Sequence, residues 1–258
     1  MFNQFSKNSK WILAFSFVLI FSTFSFSGSR KIGGYVDQAE SRFERNVWNF
    51  IKNFKTPKNV GSHSWQYDQY YWAEPFQFTG NSHRSYVDAV DLAYVAGHGN
   101  YHLFQTNKAL GLTVNLKTVP QYGNSGDDLE FLIIESCYTV SSAPEKSNWW
   151  SDYTNMFGGL HQLVGFHTLS QSDNGIPNNY AHKLKRNGGV WQSWFDSVDE
   201  ERWWIFNPSY YDPQYGSNYP YPGLASAVVA NGCTNDRLGS YAADPAPGTS
   251  GMYTYWQY

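Results

Sequence analysis

The chain has 258 residues, with 18 Lys and Arg against 21 Asp and Glu, and a formal net charge of -3. This near balance, without a dense basic run, argues against nucleic acid as a partner. Two cysteines are too few for a small disulfide-stapled scaffold. Removal of an export signal would leave roughly 230 residues, enough for one sizeable α/β domain.

The N-terminal segment has the features of a secretory signal. Lys7 and Lys10 are followed by an uncharged stretch, Trp11–Phe26, and small residues precede Gly28. We expect residues 1–27 to be cleaved, so that the mature protein is secreted, periplasmic or at the cell surface. An uncleaved anchor is the alternative, but the apolar part is about 16 residues and a membrane span needs about 20. We expect no stable membrane span after signal removal.

The rest of the chain predicts short apolar strands that alternate with helices. Helices are predicted at Asp37–Lys55, Asn178–Arg186 and Val190–Val198. Strands are predicted at Tyr86–Ala96, Phe131–Ile134, Leu160–Thr168 and Leu224–Ala230. The aromatic stretch Val60–Phe78 is compatible with edge strands or a long loop, and Asn207–Pro222 is predicted to be loop. The pattern indicates an α/β fold with a mostly parallel central sheet, in one domain over residues 33–258.

Two chemically reactive residues follow predicted strands directly. The predicted strand Tyr86–Ala96 is followed by Gly97-His98-Gly99. The predicted strand Phe131–Ile134 is followed by Glu135-Ser136-Cys137. Ligand sites of parallel sheets lie at the carboxyl ends of the strands, so adjacent strands would bring the two residues together. The intervening residues 100–130 are long enough for a crossover helix.

The pairing of a thiol with an imidazole has a definite chemistry. A cysteine attacks a carbonyl as thiolate, and its ordinary pKa of about 8.5 means that a base must accept the proton near neutrality. A single His beside Gly is more often a turn residue, and a single Cys after a strand is more often a small buried side chain. The joint pattern of strand, Gly-His-Gly, then strand and Cys is more specific than either part.

The same two blocks resemble clan CD cysteine peptidases, which include caspases, legumains, gingipains and clostripain. In those families an apolar strand ends in His-Gly and a later one ends in Cys, as do Val90–Gly99 and Phe131–Cys137 here. The Glu135-Ser136-Cys137 ending is similar to the legumain Glu-Ala-Cys pattern. The segment Gly159–Thr168 resembles a strand in an uncharacterised caspase-like family of exported microbial proteins. The resemblance implies a caspase-like three-layer sandwich.

The resemblance also implies roles for individual residues. Cys137 would be the nucleophile and His98 the general base and acid of a cysteine endopeptidase, with a peptide or protein substrate and no cofactor. The backbone N–H groups of Gly99 and Cys137 would form the oxyanion hole. Glu135 would line the substrate pocket or be a buried carboxylate bonded to backbone, and both alternatives are open. No residue matches a known determinant of cleavage specificity.

Other polar residues favour ordinary roles. His161, His167 and His182 match no zinc spacing, so we expect no metal. The oxygen-rich segment 124–128 is more typical of a solvated turn than of a calcium loop. We predict that Cys137 and Cys233 are not bridged, because a bridge would block the nucleophile.

The main alternative function is noncatalytic. The aromatic segments Trp65–Trp72 and Tyr210–Tyr221 would then form a stacking platform, and the chain would be a surface or polysaccharide-binding protein on a caspase-like scaffold. A glycosidase is a weaker alternative, because no Asp or Glu pair is placed at strand ends as clearly as His98 and Cys137.

Overall fold

The structure of the protein is a computed structural model. It describes residues 28–38, 40–107, 109–124, 126–142, 148–170, 175–204, 211–212, 217–218, 223–245 and 251–257. The predicted signal, residues 1–27, and most of the aromatic segment Tyr210–Tyr221 lie outside these ranges. Within them, no helix combines the length and the apolar character needed to cross a membrane.

Thirteen strands and three α-helices form the described elements. In chain order the strands are β1 (Ser29–Val36), β2 (Lys58–Val60), β3 (His63–Trp72), β4 (Leu92–Ala96), β5 (Gly99–Asn100), β6 (Leu103–Asn107), β7 (Leu112–Asn115), β8 (Phe131–Glu135), β9 (Gln162–Phe166), β10 (Tyr211–Asp212), β11 (Ser217–Asn218), β12 (Ala225–Ala230) and β13 (Met252–Trp256). The α-helices are α1 (Ser41–Ile51), α2 (Ile176–Lys185) and α3 (Val190–Trp204). Short 3-10 turns lie at Lys52–Phe54, Pro75–Gln77, Gly80–Ser85, Val87–Ala89 and Trp149–Asp152.

Eight of these strands form one central sheet in the order β13-β12-β9-β8-β4-β1-β3-β2. The inner strands β3, β1, β4, β8 and β9 are parallel to their neighbours in this series. At the two edges, β2 is antiparallel to β3, and β12 and β13 continue the sheet in antiparallel fashion. The predicted α/β class with a mostly parallel central sheet is therefore confirmed. The strands β4, β8 and β9 are buried along their whole length, as continuous apolar runs predict.

The three α-helices contact one face of the sheet. On β4, Tyr94 points to that face, where its ring stacks on Phe50 of α1 with centroids 4.5 Å apart. Trp194 of α3 and Tyr180 of α2 complete the cluster, and their ring centroids lie 5.3 Å apart. All four rings are fully buried, so much of the aromatic excess in the composition fills the core.

The opposite face is covered by turns and a small sheet. Tyr35 of β1 packs on Phe78 at 5.1 Å between ring centroids, and Phe78 packs on Phe104 of β6 at 4.9 Å. The Tyr122 hydroxyl donates to the carbonyl of Phe78 over 2.6 Å. This layer thus consists of 3-10 turns and the strands β5 to β7, in place of α-helices, across the described residues.

The segment between residues 100 and 130 is long enough for a crossover helix and loops, but its described part contains no α-helix. After β4 the chain forms the antiparallel strands β5, β6 and β7, and Tyr101 and His102, both with positive φ, make the turn between β5 and β6. Antiparallel pairing with a tight turn satisfies the backbone locally, so a helix is not needed to return the chain to the sheet.

Strand β1 was not predicted, and the expected domain start at residue 33 falls inside it. Its Gly33-Gly34 pair weakens the strand pattern, because glycine has no side chain to show alternation. The structure explains Gly34, since a Cβ atom there would lie 2.6 Å from Cγ1 of Val47 on α1. Helix α1 therefore packs directly on the backbone of β1 at Gly34.

Candidate active site

The strands β4 and β8 are adjacent and parallel, and their register sets the site. Ala96 pairs with Glu135 in this register, so His98 and Cys137 each lie two residues beyond a paired strand end. The strand ends are joined by a hydrogen bond from the Gly97 N–H to the Glu135 carbonyl at 3.3 Å. Neighbouring strands lie about 4.8 Å apart, so the two loops start side by side at the carboxyl edge.

His98 is held by groups from the connection between β1 and α1 and from the first turn of α1. Its Nε2 lies 2.9 Å from Oε1 of Glu40, and its ring packs edge-on against Phe43 with centroids 5.0 Å apart. Its backbone N–H donates to Oδ2 of the buried Asp37 over 3.2 Å. About a third of the side chain, 35 %, stays exposed. With Nε2 held by Glu40, Nδ1 is the nitrogen left to exchange a proton with a reacting group.

Glu40 is the residue that sequence reasoning missed at this site. Partial burial opposes its ionisation, but hydrogen bonds from His98 and Arg42 outweigh this and lower the pKa of Glu40. The Arg42 Nε forms an ion pair with Oε2 while His98 contacts Oε1. A carboxylate that stays ionised and contacts an imidazole fixes the orientation of the ring.

Gly97 and Gly99 leave no room for a side chain. A Cβ atom at Gly97 would lie 2.7 Å from Cβ of Asp37, and one at Gly99 would lie 2.9 Å from the carbonyl oxygen of Cys137. At Gly99 it would also overlap Oγ of Ser136. These contacts bring the Gly-His-Gly turn against the Ser136-Cys137 loop, which explains why the sequence has glycine on both sides of His98.

Cys137 is partly exposed, and its sulfur faces Ser170. The backbone N–H of Ser170 lies 3.3 Å from the sulfur, and the Ser170 carbonyl and hydroxyl oxygens lie 3.7 Å from it. The backbone N–H of Cys137 itself has no hydrogen-bond acceptor among the described residues. A free N–H on the nucleophile residue is the donor that an oxyanion hole requires. The structure thus places His98 beside Glu40 and Cys137 beside Ser170, and the catalytic pairing of the two stays a prediction.

Two aromatic residues flank the strand-end loops. Tyr138 follows Cys137 with a positive φ of 53°, an uncommon conformation for a bulky residue. Its ring stacks on Tyr101, with centroids 5.6 Å apart, and Tyr101 is 45 % exposed. Backbone strain of this kind concentrates at ligand sites, where surrounding structure maintains it.

Glu135 points to the helical face of the sheet and away from solvent. It is 2 % exposed and accepts hydrogen bonds of 2.7 Å from Nδ2 of Asn46 and from the hydroxyl of Tyr94. Of the two open alternatives, the contacts match the buried carboxylate, although the donors are side chains instead of backbone. Burial, together with the Glu135 carboxylate, raises the pKa of Tyr94 well above its ordinary value.

The two cysteines are free, in agreement with the prediction that they are not bridged. They lie at opposite ends of the central strands, Cys137 at the carboxyl ends of the parallel strands and Cys233 at their amino ends. Cys137 follows the carboxyl end of β8, whereas Cys233 follows β12, which runs antiparallel to β9. A five-residue strand spans about 16 Å, far more than a disulfide can bridge. Burial and then the nearby Asp236 raise the pKa of the Cys233 thiol to about 12.

The Trp65–Trp72 part of the expected aromatic platform, which the structure describes, is divided between core and surface. Trp65 is fully buried and donates its indole N–H to the Leu238 carbonyl over 2.8 Å, so it is a core residue and not a stacking surface. Trp72, at the end of the same strand, is 49 % exposed. In the predicted turn at 124–128, the Asp127 carboxylate pairs with Arg84 at 3.3 Å.

Comparison with known proteins gives a family and one structural likeness. The family described as "Domain of unknown function (DUF6345)" matches residues 30–258, so the chain belongs to it. No curated protein matches the chain. The structure is similar to that of a secreted C11 cysteine protease from Bacteroides thetaiotaomicron in complex with an irreversible peptide inhibitor, with 11 % identity and a TM-score of 0.42. The likeness covers 79 % of this chain and 66 % of that protein, slightly less than two thirds of its length.

Proposed function

We propose that this member of the DUF6345 family is an exported cysteine peptidase-like protein that hydrolyses peptide bonds through Cys137 and His98. The observation that carries the proposal is the matched position of the two residues, each two places beyond the paired ends of adjacent parallel strands. The clan CD pattern of the two sequence blocks supports the same assignment. Export rests on the signal-like residues 1–27.

The reaction would begin with the thiol of Cys137. Its proton passes to Nδ1 of His98, and the sulfur attacks the carbonyl carbon of the scissile peptide bond. The carbonyl oxygen then takes up negative charge, which the backbone N–H of Cys137, and that of Gly99 opposite it, would stabilise. His98 returns the proton to the leaving amine, and a water molecule hydrolyses the thioester and restores the thiol.

Two further contacts support the reactive arrangement. The N–H of Ser170, 3.3 Å from the sulfur, is a donor placed for the charge that the sulfur carries as a thiolate. Glu40 acts as a positioning residue, because it holds Nε2 of His98 at 2.9 Å and leaves the other ring nitrogen available. The orientation of the base by a third group is the arrangement that activated nucleophiles share.

The second candidate function is binding of polysaccharide without catalysis. It is favoured by exposed aromatic side chains on and near β3: Trp48 is 42 % exposed and packs on Tyr70, and Trp72 is 49 % exposed. Such rings can stack on sugar faces, although scattered exposed aromatics are also normal on protein surfaces.

A peptide-library digest distinguishes these functions. The mature protein is incubated with an unbiased library, and the new termini are compared with those from Cys137→Ala and His98→Gln. We expect both variants to lose hydrolysis by about 10³-fold or more, since removal of a nucleophile or its base has effects of this size. His182→Gln, which changes an exposed histidine on α2, serves as the matched control.

The outcomes separate the proposals cleanly. Cleavage by the wild type that survives in Cys137→Ala would contradict the assigned nucleophile. Absence of any cleavage, with retention of the wild type on an insoluble polysaccharide and its loss in Trp72→Ala, would replace the peptidase by the binding protein.

A further inference from the structure

A second cluster of reactive side chains lies at the amino ends of the parallel strands of the central sheet, opposite the carboxyl ends where His98 and Cys137 lie. His161 directly precedes β9, and Cys233 and Asp236 follow β12, its antiparallel neighbour. The three are 0 %, 1 % and 4 % exposed. One ligand atom from each lies within 4.8 Å of the others. Burial of a histidine, a thiol and a carboxylate together is costly unless each is paired, so the cluster needs a physical explanation.

The backbone around the cluster is fixed by short hydrogen bonds. The Asp236 N–H donates to the Cys233 carbonyl over 3.2 Å, which turns both side chains toward the same side. The Cys233 carbonyl also accepts from Nε2 of Gln162 over 2.7 Å, and the Ala242 N–H donates to Oδ1 of Asp236 over 3.0 Å. The donor atoms are therefore held in place by their surroundings before any ligand binds, which is the condition for a tight site.

The polar atoms of the cluster are incompletely satisfied. Nδ1 of His161 lies 2.6 Å from Oδ2 of Asp236, but the buried Nε2 has no hydrogen-bond partner among the described residues. Nε2 lies 3.7 Å from Oδ1 of Asp244, an ion-pair distance that is too long for a hydrogen bond. A buried ring nitrogen without a partner is rare, so the hydrogen bonding of this histidine is incomplete as it stands.

The charge of the cluster also favours a cation. Asp236 and Asp244 both lie close to His161, and the thiol of Cys233 belongs to the same cluster. A divalent cation would offset the buried negative charge of the carboxylates, and a coordinated thiol binds it as thiolate.

We propose that His161, Cys233 and Asp236 bind a divalent metal ion, with zinc as the best match. A set of sulfur, nitrogen and carboxylate ligands is typical of Zn²⁺, whereas Ca²⁺ and Mg²⁺ take oxygen ligands. Binding releases the thiol proton of Cys233 to solvent as the zinc–sulfur bond forms. Nδ1 and Oδ2 would then bind the ion, so their separation must open from 2.6 Å to about 3 Å.

Asp244 has a role in this arrangement. When Nδ1 of His161 binds the ion, the ring carries its proton on Nε2, and this N–H faces the Asp244 carboxylate at 3.7 Å. Histidine ligands usually donate their second ring N–H to a carboxylate, which fixes the ring and strengthens the ligand. The unpartnered Nε2 thus acquires an acceptor after a small movement of the partly exposed Asp244.

The test uses the mature chain, stripped of metal and titrated with Co²⁺ as an optical substitute for zinc. We expect saturation at about one ion per chain, visible d–d bands of a tetrahedral site and a thiolate-to-cobalt charge-transfer band. Cys137→Ser should keep the charge-transfer band, which assigns it to Cys233 as the other cysteine of the chain. Cys233→Ser should lose that band, and zinc measured by mass spectrometry should fall to background.

The assignment to Cys233 survives even if Cys233→Ser does not fold, because the charge-transfer band of Cys137→Ser already identifies the sulfur. No stoichiometric Co²⁺ or Zn²⁺ binding by the folded wild type, or a charge-transfer band that Cys137→Ser abolishes, would overturn the proposal and leave a hydrogen-bonded His–Asp–Cys cluster. The site is separate from His98 and Cys137, so loss of either proposal leaves the other standing.

Discussion

The carboxyl edge and the opposite edge of one sheet each hold a cysteine and a histidine, but in contrasting surroundings. At the carboxyl edge, Cys137 is partly exposed and receives an N–H from Ser170, and His98 is about a third exposed. At the other edge, Cys233 and His161 are buried beside carboxylates. Donors and solvent access suit a thiol that reacts with a substrate, whereas burial among acidic groups suits a thiol that is inert or binds a cation.

Strand direction is the origin of this contrast. Parallel strands deliver their carboxyl ends, with free backbone N–H groups in the loops that follow, to one edge of the sheet. The antiparallel β12 breaks this order and returns Cys233 to the edge where β9 begins. A cysteine and a histidine therefore have different neighbours and different exposure to solvent, according to the end of the strands at which they lie.

The largest expected difference is in alkylation. With a pKa of about 12, Cys233 is ionised to roughly a thousandth at pH 9, and its burial slows the reaction further. We expect iodoacetamide to label Cys137 about 10³-fold faster than Cys233 in the native protein between pH 7 and 9. Peptide mapping after timed labelling measures both rates. Similar rates at the two cysteines would remove the contrast between the edges.

Gly99→Ala should disturb the carboxyl edge alone. Its Cβ would lie 2.9 Å from the Cys137 carbonyl oxygen and 2.5 Å from Oγ1 of Thr139. We expect a loss of about 1–3 kcal/mol in unfolding free energy from overpacking. Displacement of the loop should lower kcat/KM about 100-fold. The control is Gly251→Ala, where an added Cβ meets nothing within 4 Å. Full activity of Gly99→Ala would show that the two loops need not be held together.

Glu40→Gln tests the positioning of His98. The amide can still accept a hydrogen bond from Nε2, but without the charge this bond is weaker and orients the ring less firmly, so we expect kcat to fall about tenfold. A role in catalysis should also change the pH profile of kcat/KM, which a merely structural role would leave unaltered. Glu200→Gln, at an exposed ion pair with Lys183, is the matched carboxylate control. An unchanged pH profile in Glu40→Gln would contradict the positioning role.

The smallest expected effect is that of Arg42→Gln. Arg42 pairs with Glu40, but both side chains are substantially exposed, so the pair should contribute less than about 1 kcal/mol to stability. Chemical denaturation should therefore give nearly the wild-type unfolding free energy, with a modest decrease in kcat as Glu40 becomes freer to move. A loss of stability above about 2 kcal/mol would mean that this pair is structural.

Several elements could be predicted because local pattern and burial agree. Helix α1 shows Phe43, Val47 and Phe50 at helical spacing, and all three are buried. Strand β8 is a continuous apolar run that is buried on both faces. The aromatic segment that becomes β3 and the glycine-containing β1 were not assigned, because parallel pairing with distant strands, and not local propensity, makes them strands.

By itself the sequence determined the α/β class and the placement of His98 and Cys137 after apolar strands, since hydrophobic period and strand ends are local properties of the chain. Only the tertiary structure decided which side chains meet there. Glu40 reaches His98 because α1 packs on the glycine backbone of β1, and His161 meets Cys233 because β12 runs antiparallel to β9. Contacts between residues so distant in sequence depend on strand order and direction, which no local pattern encodes.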